Sequence, residues 1–157
     1  MPIDPDDFRA ALGCFPSGVT VVTLADGPTG VHGITVSSFM SLSLHPPLVG
    51  VAIGRKARAH GLALTAPRVG VSVLAADQAG VSDHFAGRPV ALEGDPFEVL
   101  EGHAVVAGAA AQLVCDVVDR VDVGDHTLVV GRVEAARVQA AGSLAYQRGR
   151  YGRVAAD

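Results

Sequence analysis

Short runs of β-branched and apolar residues, each closed by a Gly, Pro or Asp turn, recur from Val19 onward, and this pattern restricts the fold more than any other feature of the chain. Val19-Thr20-Val21-Val22-Thr23-Leu24 is one such run. Ala25 to Gly30 reads as a turn, and a second strand pattern follows, so a hairpin is expected. His45-Pro46-Pro47 interrupts that pattern before Leu48 to Ile53 resumes as a buried strand, and Val69 to Leu74 is another. Ala111 to Val121 and Thr127 to Val138 are long strand patterns separated by Asp122-Val123-Gly124-Asp125, a second hairpin. Helical spacing is scarcer. Asp4 or Asp6 caps a segment with Phe8, Leu12 and Phe15 on one face, which Pro16-Ser17-Gly18 stops, and Lys56 to Thr65 and Asp77 to Phe85 read as short helices. Six or seven strands with so few helices predict a barrel rather than a doubly wound sheet, which needs a helix after nearly every strand. Ala86 to Gly108 lacks a sustained period and is expected to be a long surface excursion.

Length and charge narrow the function classes. The 157 residues predict a single domain over 1–157, and a hydrophobic share of 49% excludes general disorder. A net charge of −4 argues against a nucleic-acid surface, which needs a clustered positive field. Apolar runs such as Leu48 to Ile53 fall well short of the ~20 residues that span a bilayer, and Met1-Pro2-Ile3-Asp4 begins an acidic segment unlike a signal peptide, so a cytoplasmic protein without a membrane partner is expected. Cys14 and Cys115 have no close Cys or His spacing, so neither a disulfide framework nor a metal site is indicated, and both are expected to be buried small hydrophobes.

The familiar catalytic signatures are missing: there is no nucleophile elbow, Walker loop, dinucleotide glycine fingerprint or zinc-protease motif. Two segments stand out instead. Gly33-Ile34-Thr35-Val36-Ser37-Ser38-Phe39 collects hydroxyls and small residues where backbone can approach a ligand. Period-two alternation would send Thr35, Ser37, Phe39 and Ser41 to one side and Val36, Ser38 and Met40 to the other. Gly124-Asp125-His126-Thr127 presents an imidazole at a turn. On chemistry alone the first is a ligand-binding edge or a solvated strand face, and His126 is a catalytic group or a local hydrogen-bond partner. His32, His45, His60, His84 and His103 have no partners in sequence and read as surface or core residues.

A wider pattern then joins these segments. Phe8-Arg9, Gly18-Val19-Thr20-Val21-Val22-Thr23, Gly33 to Phe39, Pro46-Pro47-Leu48-Val49, Gly124-Asp125-His126-Thr127 to Gly131-Arg132-Val133, and Leu144-Ala145-Tyr146-Gln147-Arg148-Gly149-Arg150-Tyr151 occur in order over residues 7 to 153. Together they resemble the flavin reductase family of the FMN-binding split-barrel fold. The resemblance implies a mainly β protein with short helices, a Greek-key split β-barrel, and a homodimer. It implies reduction of FMN or FAD with NADH or NADPH, the reduced flavin then serving a separate flavin-dependent monooxygenase. Because the flavin carries such chemistry, no nucleophile or acid pair need be visible. A non-catalytic split barrel that stores flavin or carries electrons is the alternative.

Carried over residue by residue, the resemblance makes Thr35, Val36, Ser37 and Ser38 the flavin-binding segment, with Ser41 extending it. Arg55-Lys56-Ala57-Arg58-Ala59 matches the phosphate-side segment, where the family commonly has a Ser and a Thr and this chain has Ala57 and Ala59. Lys56 and Arg58 would then act as charged donors to the phosphate. Phe85 falls in a stretch near the flavin. His126 matches a residue facing the nicotinamide, with a positioning or electrostatic role, and Tyr146, Arg150 and Tyr151 border the dinucleotide.

Overall fold

In the computed structural model, which describes residues 2–155, helix α1 (Pro5–Gly13) leads into strands β1 (Ser17–Gly18), β2 (Thr20–Asp26) and β3 (Gly30–Val36). β4 (Met40–Ser43) and β5 (Leu48–Gly54) follow, then α2 (Arg58–Ala63), β6 (Arg68–Val73) and α3 (Ala79–Phe85). The hairpin of β7 (Phe97–Leu100) and β8 (His103–Val106) precedes the long strands β9 (Ala111–Val123) and β10 (His126–Val138), and the hairpin of β11 (Leu144–Gln147) and β12 (Arg150–Arg153) comes last.

Seven strands form one antiparallel sheet in the order β3-β2-β6-β9-β10-β5-β4. Its two edges, β3 and β4, are consecutive in the chain and separated only by Ser37, Ser38 and Phe39. Four Cα steps reach at most ~14 Å, whereas a flat sheet of this order would hold its edges roughly 28 Å apart. The sheet therefore curls until the edges approach. They do not pair with each other, which leaves the barrel split. Register shifts in the β9–β10 ribbon, between Val130 and Gly131 and between Val133 and Ala135, bend the long strands in the same region.

Alternation along β2 divides the core. Val22 and Leu24 join Val51, Ile53, Val69, Val71, Cys115 and Val129 in one cluster, while Val21, with the adjoining Val19, faces a second cluster containing Leu74, Val106 and Leu144. α2 packs on the first through Ala59 and Ala63, and α3 on the second through Ala79, Val81 and Phe85. Arg120 secures the end of α2 by donating Nε–H to the Ala63 carbonyl at 2.8 Å and an Nη2–H to the Ala66 carbonyl.

Three expectations change. Within residues 86–108, Phe97 to Val106 forms the β7–β8 hairpin, turning at Glu101 (φ 46°) and Gly102 (φ 74°), the paired left-handed residues that a two-residue hairpin turn requires. The single alternating strand read through Thr35 to Ser41 breaks after Val36, because residues 37–39 cross from one sheet edge to the other. Cys14 is exposed, since it caps α1, a helix that buries none of its residues, whereas Cys115 is fully buried. Burial and the neighbouring Asp116 and Glu134 carboxylates push the Cys115 thiol up to about 12.

The β7–β8 hairpin docks on β2 through His103, whose Nε2–H donates to the Thr23 carbonyl at 3.1 Å, and through the Thr23 hydroxyl, which donates to the Ala104 carbonyl. Burial holds the His103 imidazole below its ordinary value of 6.5, with Arg68 adding to the effect and the Thr23 hydrogen bond opposing it. The unfolded chain then binds the proton more readily than the folded one, so stability falls as pH drops through ~6.5 and levels off below the folded value. Urea unfolding at pH 8 and pH 5.5 should show this loss, and His103→Gln, which keeps a side-chain donor but does not titrate, should show less of it.

Candidate functional site

The curl of the sheet brings β3 beside the start of α2 and the end of α3. A groove of about 700 Å³ lies between them, lined by Gly33, Ile34 and Thr35 from β3, Ala57 and Arg58 from α2, and Phe85 with its neighbours from α3. The Phe85 ring packs edge-on to His84 and at 5.5 Å from Phe97, and it crosses directly over Gly33. A Cβ on Gly33 would stand 2.6 Å from that ring, so only glycine lets Phe85 lie there and leaves the groove beside it open. Ala57 occupies the cap position of α2 with no side-chain acceptor; its carbonyl takes the His60 N–H at 3.0 Å, which leaves the N–H groups of Arg58 and Ala59 for an anionic ligand.

This groove continues on both sides. Thr35 and Ala86 also line a narrower cleft of about 160 Å³, with Ser37, Ser82, Tyr146 and Tyr151. Ala57 is shared with a cleft of about 510 Å³ that holds Lys56, Asp125 and His126. Thr35, Ser37, Lys56, Ala57, Arg58, Phe85, His126, Tyr146 and Tyr151 therefore lie along one connected surface. Arg150 lies beyond Tyr146 and Tyr151, in a further groove that those two rings also line. Val36 packs against the first core cluster, so any contact it makes with a ligand is through its backbone. Ser41, exposed on β4 opposite Val49, is not brought to these grooves.

The hydroxyls divide by task. Thr35 Oγ1 donates to the Ser82 carbonyl at 2.7 Å, so its proton is committed. Ser38 Oγ donates to the Ala52 carbonyl at 2.9 Å and accepts from the Ala52 N–H at 3.0 Å, tying the edge crossing to β5. Ser37 alone of the three is exposed and makes no side-chain hydrogen bond among the described residues. Arg58 is drawn to Asp26 in an exposed ion pair, and Lys56 sits on the His126 side, so the two cations do not converge on one phosphate position.

At the β9–β10 turn, His126 Nδ1–H donates to the Asp125 carboxylate at 2.7 Å. A carboxylate only accepts, so Nε2 is the ring nitrogen left for a ligand, and it lies over Gly54. The hydrogen bond from His126 holds the Asp125 carboxyl below its usual range, with its charge and nearby Lys56 acting in the same direction. Beneath this turn, His60 Nε2–H donates to Thr127 Oγ1 at 2.9 Å, and Thr127 donates to Asp122 at 3.1 Å, fastening α2 to the hairpin that carries His126. Arg55 adds an ion pair to Asp122.

Ser82, which no sequence motif singles out, organises the other end. It is fully buried on α3, three residues before Phe85; its carbonyl receives Thr35, and its hydroxyl meets the Tyr151 oxygen at 2.9 Å. Tyr151 O–H donates to Asp83 at 2.6 Å, and Arg88 pairs with the same carboxylate. Burial and Asp83 raise the Tyr151 phenol above its ordinary value of 10.0. The available signal was a serine on the apolar face of a short helix, one turn from an aromatic.

A mainly β split barrel with a groove between its edge and two short helices defines a class. The flavin reductase like domain matches residues 12–155, and the chain belongs to that family. It is 43% identical over 134 residues to an NADH-dependent flavin reductase of Rhodococcus sp, covering 84% of this chain and 76% of that one. The reductase component of 4-hydroxyphenylacetate 3-monooxygenase of Thermus thermophilus is 42% identical over 144 residues, covering 90% of this chain and 92% of that one. The solved structure of the flavin reductase PheA2 superposes with a TM-score of 0.93 at 38% identity, covering 98% of this chain and all of that one. The Gly33–Phe85 cradle, the uncapped start of α2 and the volume of the groove fit a flavin.

Gly33→Ala should drive Phe85 off β3 and into the groove, costing ~1–3 kcal/mol in urea unfolding and weakening FMN binding by fluorescence titration. Gly18→Ala, where a Cβ meets nothing within 4 Å, is the control and should change neither. Ser38→Ala should lower stability by ~1–3 kcal/mol by stranding the Ala52 groups, while Ser37→Ala should leave stability intact.

Proposed function

We infer that the protein is an NADH-dependent flavin reductase that reduces FMN or FAD and delivers the reduced flavin to a flavin-dependent monooxygenase. The observation that carries this reading is the connected surface in a chain of this family: the groove beside Phe85 and the cleft of His126 share Ala57. A flavin and a nicotinamide bound in the two would meet there. When bound, the flavin supplies the redox chemistry by taking up the nicotinamide hydride.

The protein's part is to hold and orient. The backbone of Thr35, Val36, Ser37 and Ser38 supplies polar contacts to the flavin ring, with the Ser37 hydroxyl added. The N–H groups opening α2 and the Arg58 guanidinium face its phosphate side, and Phe85 bounds the ring. His126, its Nδ1–H spent on Asp125, offers Nε2 to the nicotinamide carboxamide, and Lys56 offsets the Asp125 charge in the same cleft. Hydride transfer needs no general base here, so positioning dominates. Tyr146, Arg150 and Tyr151 border the dinucleotide.

The same reading takes residues 1–157 as one domain acting as a homodimer. The edge strand β4 supports this, because Met40 (42%) and Leu42 (43%) on it, and Leu44 (75%) in the turn that follows, expose apolar side chains at an edge that a second chain would cover. Among the described residues no helix is long and apolar enough to cross a membrane. A cytoplasmic site, where NADH is available, goes with the reading.

Anaerobic mixing of the protein with NADH and excess FMN or FAD tests it. Bleaching of many flavin equivalents per chain is expected; bleaching limited to one equivalent, or none with flavin bound, would replace the reading with a carrier or store. His126→Ala should lower kcat/KM for NADH by roughly 10- to 100-fold and leave flavin affinity in place.

A further inference from the structure

We propose that the groove beyond Tyr146 and Tyr151 binds the ADP half of a dinucleotide, a proposal that rests on the flavin reductase reading and extends it to a second site. The chain is acidic overall, yet Arg148, Arg150 and Arg153 fall within six residues on the β11–β12 hairpin and line one groove of about 640 Å³, with no carboxylate in its wall.

The state of the other arginines makes this cluster distinct. Arg9, Arg55, Arg58, Arg68, Arg88, Arg132 and Arg137 each pair with a carboxylate, and Arg120 is held by main-chain carbonyls. Among the described residues, none of the three hairpin guanidiniums meets a carboxylate; that of Arg148 donates to Cys14 Sγ at 3.3 Å. The three thus share one groove with no carboxylate to neutralise them, and a planar guanidinium matches phosphate oxygens two at a time.

Backbone geometry points the same way. The hairpin turns at Arg148 (φ 49°) and Gly149 (φ 76°), a turn whose first position favours Asn, Asp or Gly. Arg148 thus sits in a conformation that its residue type avoids, and the turn keeps a third guanidinium at its tip. Beside the cations, Tyr146 and Tyr151 face each other across the strand pair with ring centroids 5.4 Å apart and give the groove an aromatic wall. Clustered cations suit a diphosphate, and the aromatic wall suits a purine. Because the two rings also line the cleft of Thr35 and Ser37, a ligand anchored there can pass them into this groove.

FAD and NADH both carry an ADP half, and binding measurements separate them. Calorimetric titration with ADP should show binding to the wild-type protein and at least about tenfold weaker binding to Arg148→Gln/Arg150→Gln/Arg153→Gln, with the triple lysine variant between them, since lysine keeps the charge and loses the fork. In the same variant, a matching rise in the Kd ratio of FAD to FMN assigns the groove to the flavin dinucleotide. A rise in the ratio of NAD⁺ to nicotinamide mononucleotide assigns it to the nucleotide substrate. No ADP binding, equal ADP affinity in wild type and variant, or equal losses for FMN and FAD and for both nicotinamide ligands would overturn the proposal. Failure of FMN to bind the wild-type protein, or of NADH to reduce it, would instead defeat the flavin reductase reading, and the ADP titration would still report on the groove.

Discussion

Everything that distinguishes this molecule from a flat antiparallel sheet depends on a three-residue crossing. Ser37, Ser38 and Phe39 must join the first strand of the sheet to the last, and a chain that short can do so only if the sheet rolls up. The two hydrogen bonds between Ser38 and Ala52 fix where the crossing lands on β5. Once they are made, the edge strand β3 faces α2 and α3 across a groove, so the candidate ligand surface lies along a strand that incomplete closure leaves unpaired on one side. A closed barrel of the same strands would have paired β3 with β4 and removed the seam.

The site is then shaped by commitments made for structural reasons. Thr35 and Ser38 spend their hydroxyls inside the protein, which leaves the backbone and Ser37 to meet a ligand. Ser82 joins β3 to the C-terminal hairpin from within α3, and the His60–Thr127–Asp122 chain joins α2 to the turn of His126. Both ends of the surface are thus braced by buried or half-buried polar groups, as a site that works by orientation requires.

The strands were legible because their signal is local. Val19 to Leu24, Leu48 to Ile53 and Val69 to Leu74 announce themselves by composition, and the long hairpin around Gly124 by its turn. The β7–β8 hairpin was hidden because its runs are four residues each, and its turn, Glu101-Gly102, lacks the Asn or Asp usual at a left-handed position. The site was legible as a set of segments through their resemblance to a family, but not as an allocation of tasks. No local pattern tells that Ser38 bonds to Ala52, fourteen residues away, or that Arg58 turns toward Asp26. Such facts arise from the edge crossing, which is a property of strand order and not of any one segment.

Helix α1 has a position of its own in this arrangement. None of its residues is buried, and its attachments are polar: the Arg148 N–H donates to the Gly13 carbonyl at 3.0 Å, and Gln147 Nε2 donates to the Cys14 carbonyl at 2.9 Å. The C-terminal hairpin, by contrast, is anchored in the core by Leu144. Local opening of α1 therefore gives up little apolar contact and leaves the barrel, its seam and the hairpin intact. In hydrogen exchange its amides would belong to a fast, independent unit, while those of β2 and β6 would exchange only with the whole sheet.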